Sequence, residues 1–195
     1  PHNGWAEQKP EDWRDAALET ITKVVKDSGV AADDIKGLGI SGQMHGLVML
    51  DEQGEVIRPS IIWCDQRTEK ECEEMTEKVG AEKLIEITAN PAMTGFTASK
   101  ILWVRNNEPE NYAKCKHILL PKDYVRYILT GEFATEVSDA SGMQLLDVPK
   151  RQGSDELLEI LDIDKSLLAK VYESPEVTGT ILPEIAAKTG LSTST

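Results

Sequence analysis

Short apolar runs alternating with amphipathic helix patterns leave this chain few architectures. Residues 38–41 (LGIS), 60–63 (SIIW) and 117–121 (HILLP) are strand-like, and 47–57 (LVMLDEQGEVI) predicts a hairpin turning at Asp51-Glu52-Gln53-Gly54. Between them lie helix signals. Over 11–28, Trp13, Ala16, Ala17, Ile21, Val24 and Val25 recur at spacings of three and four, with Pro10 suited to the first turn and Gly29 to the stop. Thr68-Glu69-Lys70-Glu71 has the form of a capping box opening a helix over 69–79, and Gly80 separates it from a second over 81–87. Further helices are predicted from Thr97 to near Pro109, from Pro121 to Gly131, and over 154–161 and 183–189. Segments 90–96 and 175–180 predict loops, and the Gly/Ser/Asp-rich 133–146 has no clear period. Helices interleaved with short buried strands predict an α/β fold.

The 195 residues show no repeat and no linker, so 1–195 is expected to be one domain or a piece of one. At 40% hydrophobic and 28% charged, a chain of this length buries a core without disulfides or metals. The net charge of −13, with no basic cluster, excludes a nucleic-acid surface or an anionic membrane as partner. Cys64, Cys72 and Cys115 form neither a disulfide framework nor a zinc pattern, which points to a reducing, cytoplasmic compartment. No apolar run approaches the roughly 20 residues that span a bilayer. The polar start lacks an apolar signal core and an initiator Met, so Pro1 reads as an interior residue of a longer chain.

Two stretches are placed for chemistry. Gln43-Met44-His45 follows LGIS between Gly42 and Gly46, and ligands of open α/β sheets sit beyond strand carboxyl ends. An amide, an imidazole and a backbone freed by flanking glycines suit the hydroxyls of a ligand; a glycine-bracketed turn with a satisfied histidine fits the same spacing. Asp65-Gln66-Arg67 after SIIW offers a carboxylate and a guanidinium to a polar ligand, or to each other at a helix start. Asp139 and Asp147 are isolated loop acids. The chain has no GxxxxGK[ST] loop, no GxGxxG after a strand and no GxSxG elbow, and neither His2 nor His117 has partners at metal spacing.

Residues 95–107 (GFTASKILWVRNN) resemble the first signature of the FGGY sugar-kinase family, and SGQMHG resembles its xylulokinase branch. GWAEQKPEDW, WCDQRT, NPAMTGFTASKILW, LPKDYVRYILTGE, SDASGMQLLDV and VTGTILPEIAAKTGL follow in the family's order, so the resemblance covers essentially the whole chain. It implies a ribonuclease-H-like domain of the actin-like ATPase superfamily, incomplete, without its first strands and without the second, ATP-binding domain. It further implies phosphorylation of D-xylulose with ATP and Mg2+ in the complete enzyme, neither of them bound by these residues alone. Met44 and His45 match the family's sugar-contacting pair, with Gln43 and Gly46 as neighbours. The family's Asp-x-Gly-Thr loop and the Gly-Gly-Asp-Asn stretch carrying its general base have no counterpart here, and neither Asp139 nor Asp147 matches that base. No catalytic, cofactor-binding or metal-binding residue is therefore expected, the chain alone is expected to be inactive, and an unpaired sheet edge would favour homo-oligomers. Kinases of the family acting on gluconate, ribulose or glycerol, a non-catalytic sugar-binding module, and a structural domain with Met44-His45 as core filler are the alternatives.

Overall fold

The apolar runs pair with one another and the helical patterns pack around them. In chain order come β1 (Glu7–Gln8), α1 (Pro10–Ser28), β2 (Val48–Leu50), β3 (Ser60–Ile61), α2 (Glu69–Val79), α3 (Ala81–Thr88), α4 (Thr97–Asn107), α5 (Pro109–Lys114) and β4 (His117–Leu119). They are followed by α6 (Pro121–Thr130), β5 (Ala134–Glu136), α7 (Val137–Ala140), β6 (Leu146–Asp147), β7 (Gln152–Gly153), α8 (Asp155–Leu161), β8 (Lys170–Tyr172) and α9 (Pro183–Thr189). The computed structural model describes residues 2–195.

β1 lies antiparallel to β3, and a Leu47–Ile61 bridge carries the pairing to β2, which lies antiparallel to β4 with Met49 opposite Ile118. β5 and β8 run parallel, and β6 and β7 pair antiparallel. The predicted hairpin forms: Ile57 N donates to Met49 O at 3.0 Å, and Gly54 N closes the turn on Asp51 O at 3.0 Å. Gly54 takes φ 77, a conformation that costs a side-chain-bearing residue free energy. Leu47 to Leu50 are wholly buried, as their unbroken apolar run requires of a strand covered on both faces. α4 is buried from Thr97 through Val104, so it packs as a central helix, with Ile101 and Leu102 in the same cluster as Met49, Ile61, Met75 and Ile118. A second cluster joins α1 to α6 and α9 through Leu18, Leu129 and Ile185.

Two local expectations are corrected. LGIS is no strand: 37–43 carries no ladder pairing, and only Ile40 leans on the second cluster while Leu38 is exposed. Among the described residues no strand lies beside it to complete its hydrogen bonds. The Thr68 capping box does not form either. α2 begins at Glu69 as predicted, but the buried Thr68 hydroxyl meets Ser99 Oγ at 2.8 Å on the neighbouring α4. Tertiary contact outcompetes the local cap. In the region without a clear period, Glu136 caps α7 by accepting from the backbone N–H groups of Ser138 and Asp139.

Candidate functional site

The turn at 43–46 is built around His45, not around its glycines. His45 has φ 68, in the left-handed region that an L-residue occupies only when its surroundings impose it. Those surroundings are explicit. The His45 carbonyl accepts from Thr97 Oγ1 at 3.1 Å and from Lys100 Nζ at 3.0 Å. The ring stacks on Phe96 with centroids 4.2 Å apart, and Nδ1 lies 3.0 Å from the Gly142 carbonyl oxygen. A carbonyl only accepts, so Nδ1 carries the hydrogen and the neutral ring keeps the lone pair on Nε2. Burial lowers the imidazole pKa below its usual 6.5, as does the nearby Lys100 charge, against the raising effect of the Gly142 bond. His45 is therefore neutral at pH 7, with an acceptor nitrogen that has no partner among the described residues.

The neighbours differ in role. Gly46 is buried, and a Cβ there would meet Pro121 Cγ at 2.5 Å, so its glycine permits the close approach of α6. Gln43 Nε2 donates to Gln8 Oε1 at 2.8 Å, which ties the turn to β1. Met44 is exposed by 37% and, with Gly42, lines a cleft of about 810 Å³ that residues 174–181 also line.

The same cleft has a charged wall that the sequence did not single out. Lys122 Nζ lies 2.8 Å from Asp123 Oδ1, 3.2 Å from Glu136 Oε1 and 3.0 Å from Asp139 Oδ2, and Arg126 reaches Asp123 at 2.7 Å. Asp139 is thus not an isolated loop acid; it is 3% exposed, Lys122 is its close cationic partner through Oδ2, and its Oδ1 has no hydrogen-bond partner among the described residues. Burial pushes its carboxyl up to about 6; Lys122 opposes the rise and Asp123 and Glu136 add to it. Glu136 is held down at about 2: burial acts to raise it, but hydrogen bonds from Ser174, Ser138 and two backbone N–H groups prevail. The charged residues come from α6, β5 and α7 and meet only in space, which is why spacing did not reveal them. The one sequence signal was an adjacent Lys-Asp pair opening a helix.

Asp65 and Arg67 are spent on the fold. Their pair is buried and closes at 2.7 Å, Asp65 Oδ2 also accepts from Ala6 N, and the guanidinium lies 3.8 Å from the Trp5 ring centroid and 4.8 Å from that of Trp103. This clasp fastens the segment leading into β1. Asp147 accepts from Lys150 N at 3.0 Å in an exposed turn, and His117 stacks on Phe133. No group of three His, Cys, Asp or Glu side chains is arranged for a metal among the described residues, and no described helix is long and apolar enough to cross a membrane.

Comparison with known proteins extends this geometry. A family model for the N-terminal domain of the FGGY family of carbohydrate kinases matches residues 1–195. The chain is 45% identical over 188 residues to the xylulose kinase of Bacillus subtilis (strain 168), covering 96% of this chain and 38% of that protein. It is 44% identical over 193 residues to the xylulose kinase of Escherichia coli (strain K12), covering 99% of this chain and 39% of that protein. Among solved structures, the xylulose kinase of Rhodospirillum rubrum superposes with a TM-score of 0.91 at 28% identity, covering 98% of this chain and 39% of that one. The gluconate kinase of Lactobacillus acidophilus also gives 0.91, at 27% identity, over 100% of this chain and 39% of that one. The chain thus spans 38–39% of the length of these curated relatives. It belongs to the FGGY family of carbohydrate kinases, over that family's N-terminal domain, and has its ribonuclease-H-like, actin-like ATPase fold.

Proposed function

We propose that these residues form the sugar-binding part of a kinase that transfers phosphate from ATP to D-xylulose, giving D-xylulose 5-phosphate, in the cytoplasm. One observation carries the reading: His45 is held neutral in a forced left-handed turn, with its acceptor nitrogen unpartnered, beside a Met44 that lines the cleft. An acceptor imidazole suits a hydroxyl hydrogen, and a thioether suits the C–H face of a sugar. The xylulose kinases among the relatives supply the choice of ketopentose.

Phosphoryl transfer depends on positioning and on charge stabilisation. The described residues supply the first: His45 and Met44 orient the sugar, and Lys122 with its carboxylates shapes the wall. ATP and Mg2+ do not fit this donor set, which offers neither a metal cluster nor a glycine-rich phosphate loop. Both are proposed for a longer polypeptide, and no step through them is assigned here. The 195 residues alone are accordingly expected to show no turnover, and xylulose-dependent ADP release by them would overturn that expectation. Self-association would run through the unladdered 37–43 segment, and a monomer in light scattering at high concentration would exclude it.

The deciding experiment is His45→Ala in the longest polypeptide that carries these residues. The xylulose KM should rise at least about tenfold, as expected for a lost hydrogen bond in a polar site. An unchanged KM would remove His45 from the sugar site and favour its role as core filler. The likeness to a gluconate kinase favours a second reading, an acid-sugar substrate. Comparing phosphorylation of xylulose, gluconate, ribulose and glycerol separates the two, and binding without turnover of any of them would indicate a non-catalytic module.

A further inference from the structure

Lys100 is the buried charge that the fold does not explain. It is 0% exposed in the first turn of α4, and among the described residues it has no salt bridge. An ammonium there sits at the positive end of the helix dipole and away from water, both unfavourable for a cation. Its recorded partners are two carbonyls: His45 O at 3.0 Å and Gly95 O at 2.6 Å. These belong to two separate turns, 43–46 and the loop preceding α4. The second turn also supplies Phe96, on which the His45 ring stacks, while Thr97 donates to the same His45 carbonyl. A carbonyl turned by a left-handed residue needs a donor, and here it has two, both from α4.

We propose that Lys100 is a positioning residue for sugar binding: its ammonium clamps the His45 and Gly95 carbonyls together and holds the Met44-His45 turn ready for a ketose hydroxyl. The proposal rests on the sugar-binding reading of that turn. A methionine of the same reach would fill the space but release both carbonyls. Burial lowers the Lys100 pKa to about 7; Asp65 and Cys64 oppose this and Arg67 adds to it. Lys100 is still largely charged at the lower pH where His45 titrates, and there it disfavours the imidazolium.

The test uses Lys100→Met, with Thr97→Val, which removes the other donor to the same carbonyl. Ring-nitrogen NMR of the free 195-residue chain reads the His45 tautomer and pKa without any sugar. In Lys100→Met the preference for hydrogen on Nδ1 should weaken, and the His45 pKa should rise as the Lys100 charge is removed. In the longest polypeptide, Lys100→Met should raise the xylulose KM by about tenfold to a hundredfold and leave the ATP KM in place. Thr97→Val should raise it about threefold and decides the matter if Lys100→Met does not fold. A His45 tautomer and pKa identical to the parent's would overturn the proposal, even if KM rose through general destabilisation. An unchanged His45→Ala KM would instead refute the sugar reading, and the NMR result would still decide whether Lys100 positions the turn.

Discussion

Replacing Asp139 by Asn should make this protein more stable at neutral pH, by an amount that grows with pH. The carboxyl lies buried beside Asp123 and Glu136 and titrates at about 6 instead of its ordinary 3.8. A tenfold change in proton affinity corresponds to ~1.4 kcal/mol, so the ionised form opposes folding by about 3 kcal/mol at pH 7. The sign follows from proton counting. Between pH 3.8 and about 6 the folded state holds a proton that the unfolded state has released, so stability falls as pH rises through this window. Below it the carboxyl is neutral in both states and the penalty is absent. Asn removes the charge while Lys122 keeps Asp123 at 2.8 Å and Glu136 at 3.2 Å, and Glu136, at about 2, stays ionised throughout. Urea unfolding of parent and variant across pH 4 to 7.5 measures the difference directly. It should be small at the acid end and approach ~3 kcal/mol at pH 7, equivalent to a melting point higher by about 6–12 °C. A difference independent of pH, or a variant less stable than the parent at pH 7, would refute the reasoning.

Other perturbations probe the remaining parts. Arg67→Ala leaves Asp65 buried and unpaired and should cost about 3–5 kcal/mol; it should also expose the segment leading into β1 to limited proteolysis, and a loss below ~1 kcal/mol would show that the clasp is dispensable. Gly142→Ala places a Cβ 2.4 Å from His45 Cε1 and 3.2 Å from Met44 Cε, so the ring must move. It should cost about 1–3 kcal/mol of stability and raise the sugar KM in the longest polypeptide, while an unchanged KM would show that the ring tolerates displacement. Because the neutral His45 offers the acceptor and its pKa lies below 6.5, the sugar KM should climb as pH falls below that value. A KM unchanged on acidification would exclude the acceptor role.

Most elements are legible where one residue type decides locally. Pro10, Pro121 and Pro183 open helices, and Gly29, Gly131 and Gly190 stand at helix ends in the left-handed conformation, so those limits follow from backbone sterics. The hairpin at 51–54 follows likewise from its acidic and glycine turn residues. The misses share one cause. LGIS has a strand's composition, but a strand exists only when a neighbour completes its hydrogen bonds. Thr68 has a cap's composition, but a buried hydroxyl on α4 claims it.

The site divides in the same way. The sequence alone determined that Gln43, Met44 and His45 lie between glycines after an apolar run, and the order of its motifs marked the family. Only the tertiary structure decided that His45 takes the left-handed conformation, that Thr97 and Lys100 hold its carbonyl, and that Gly142 selects its tautomer. Only there do Lys122, Glu136 and Asp139 meet along the cleft that Met44 lines. Sterics and turn chemistry act between chain neighbours and are written residue by residue. Burial, tautomer and shifted protonation depend on groups far apart in the chain, as His45 and Gly142 are at 97 positions, and these acquire meaning only when the chain has folded.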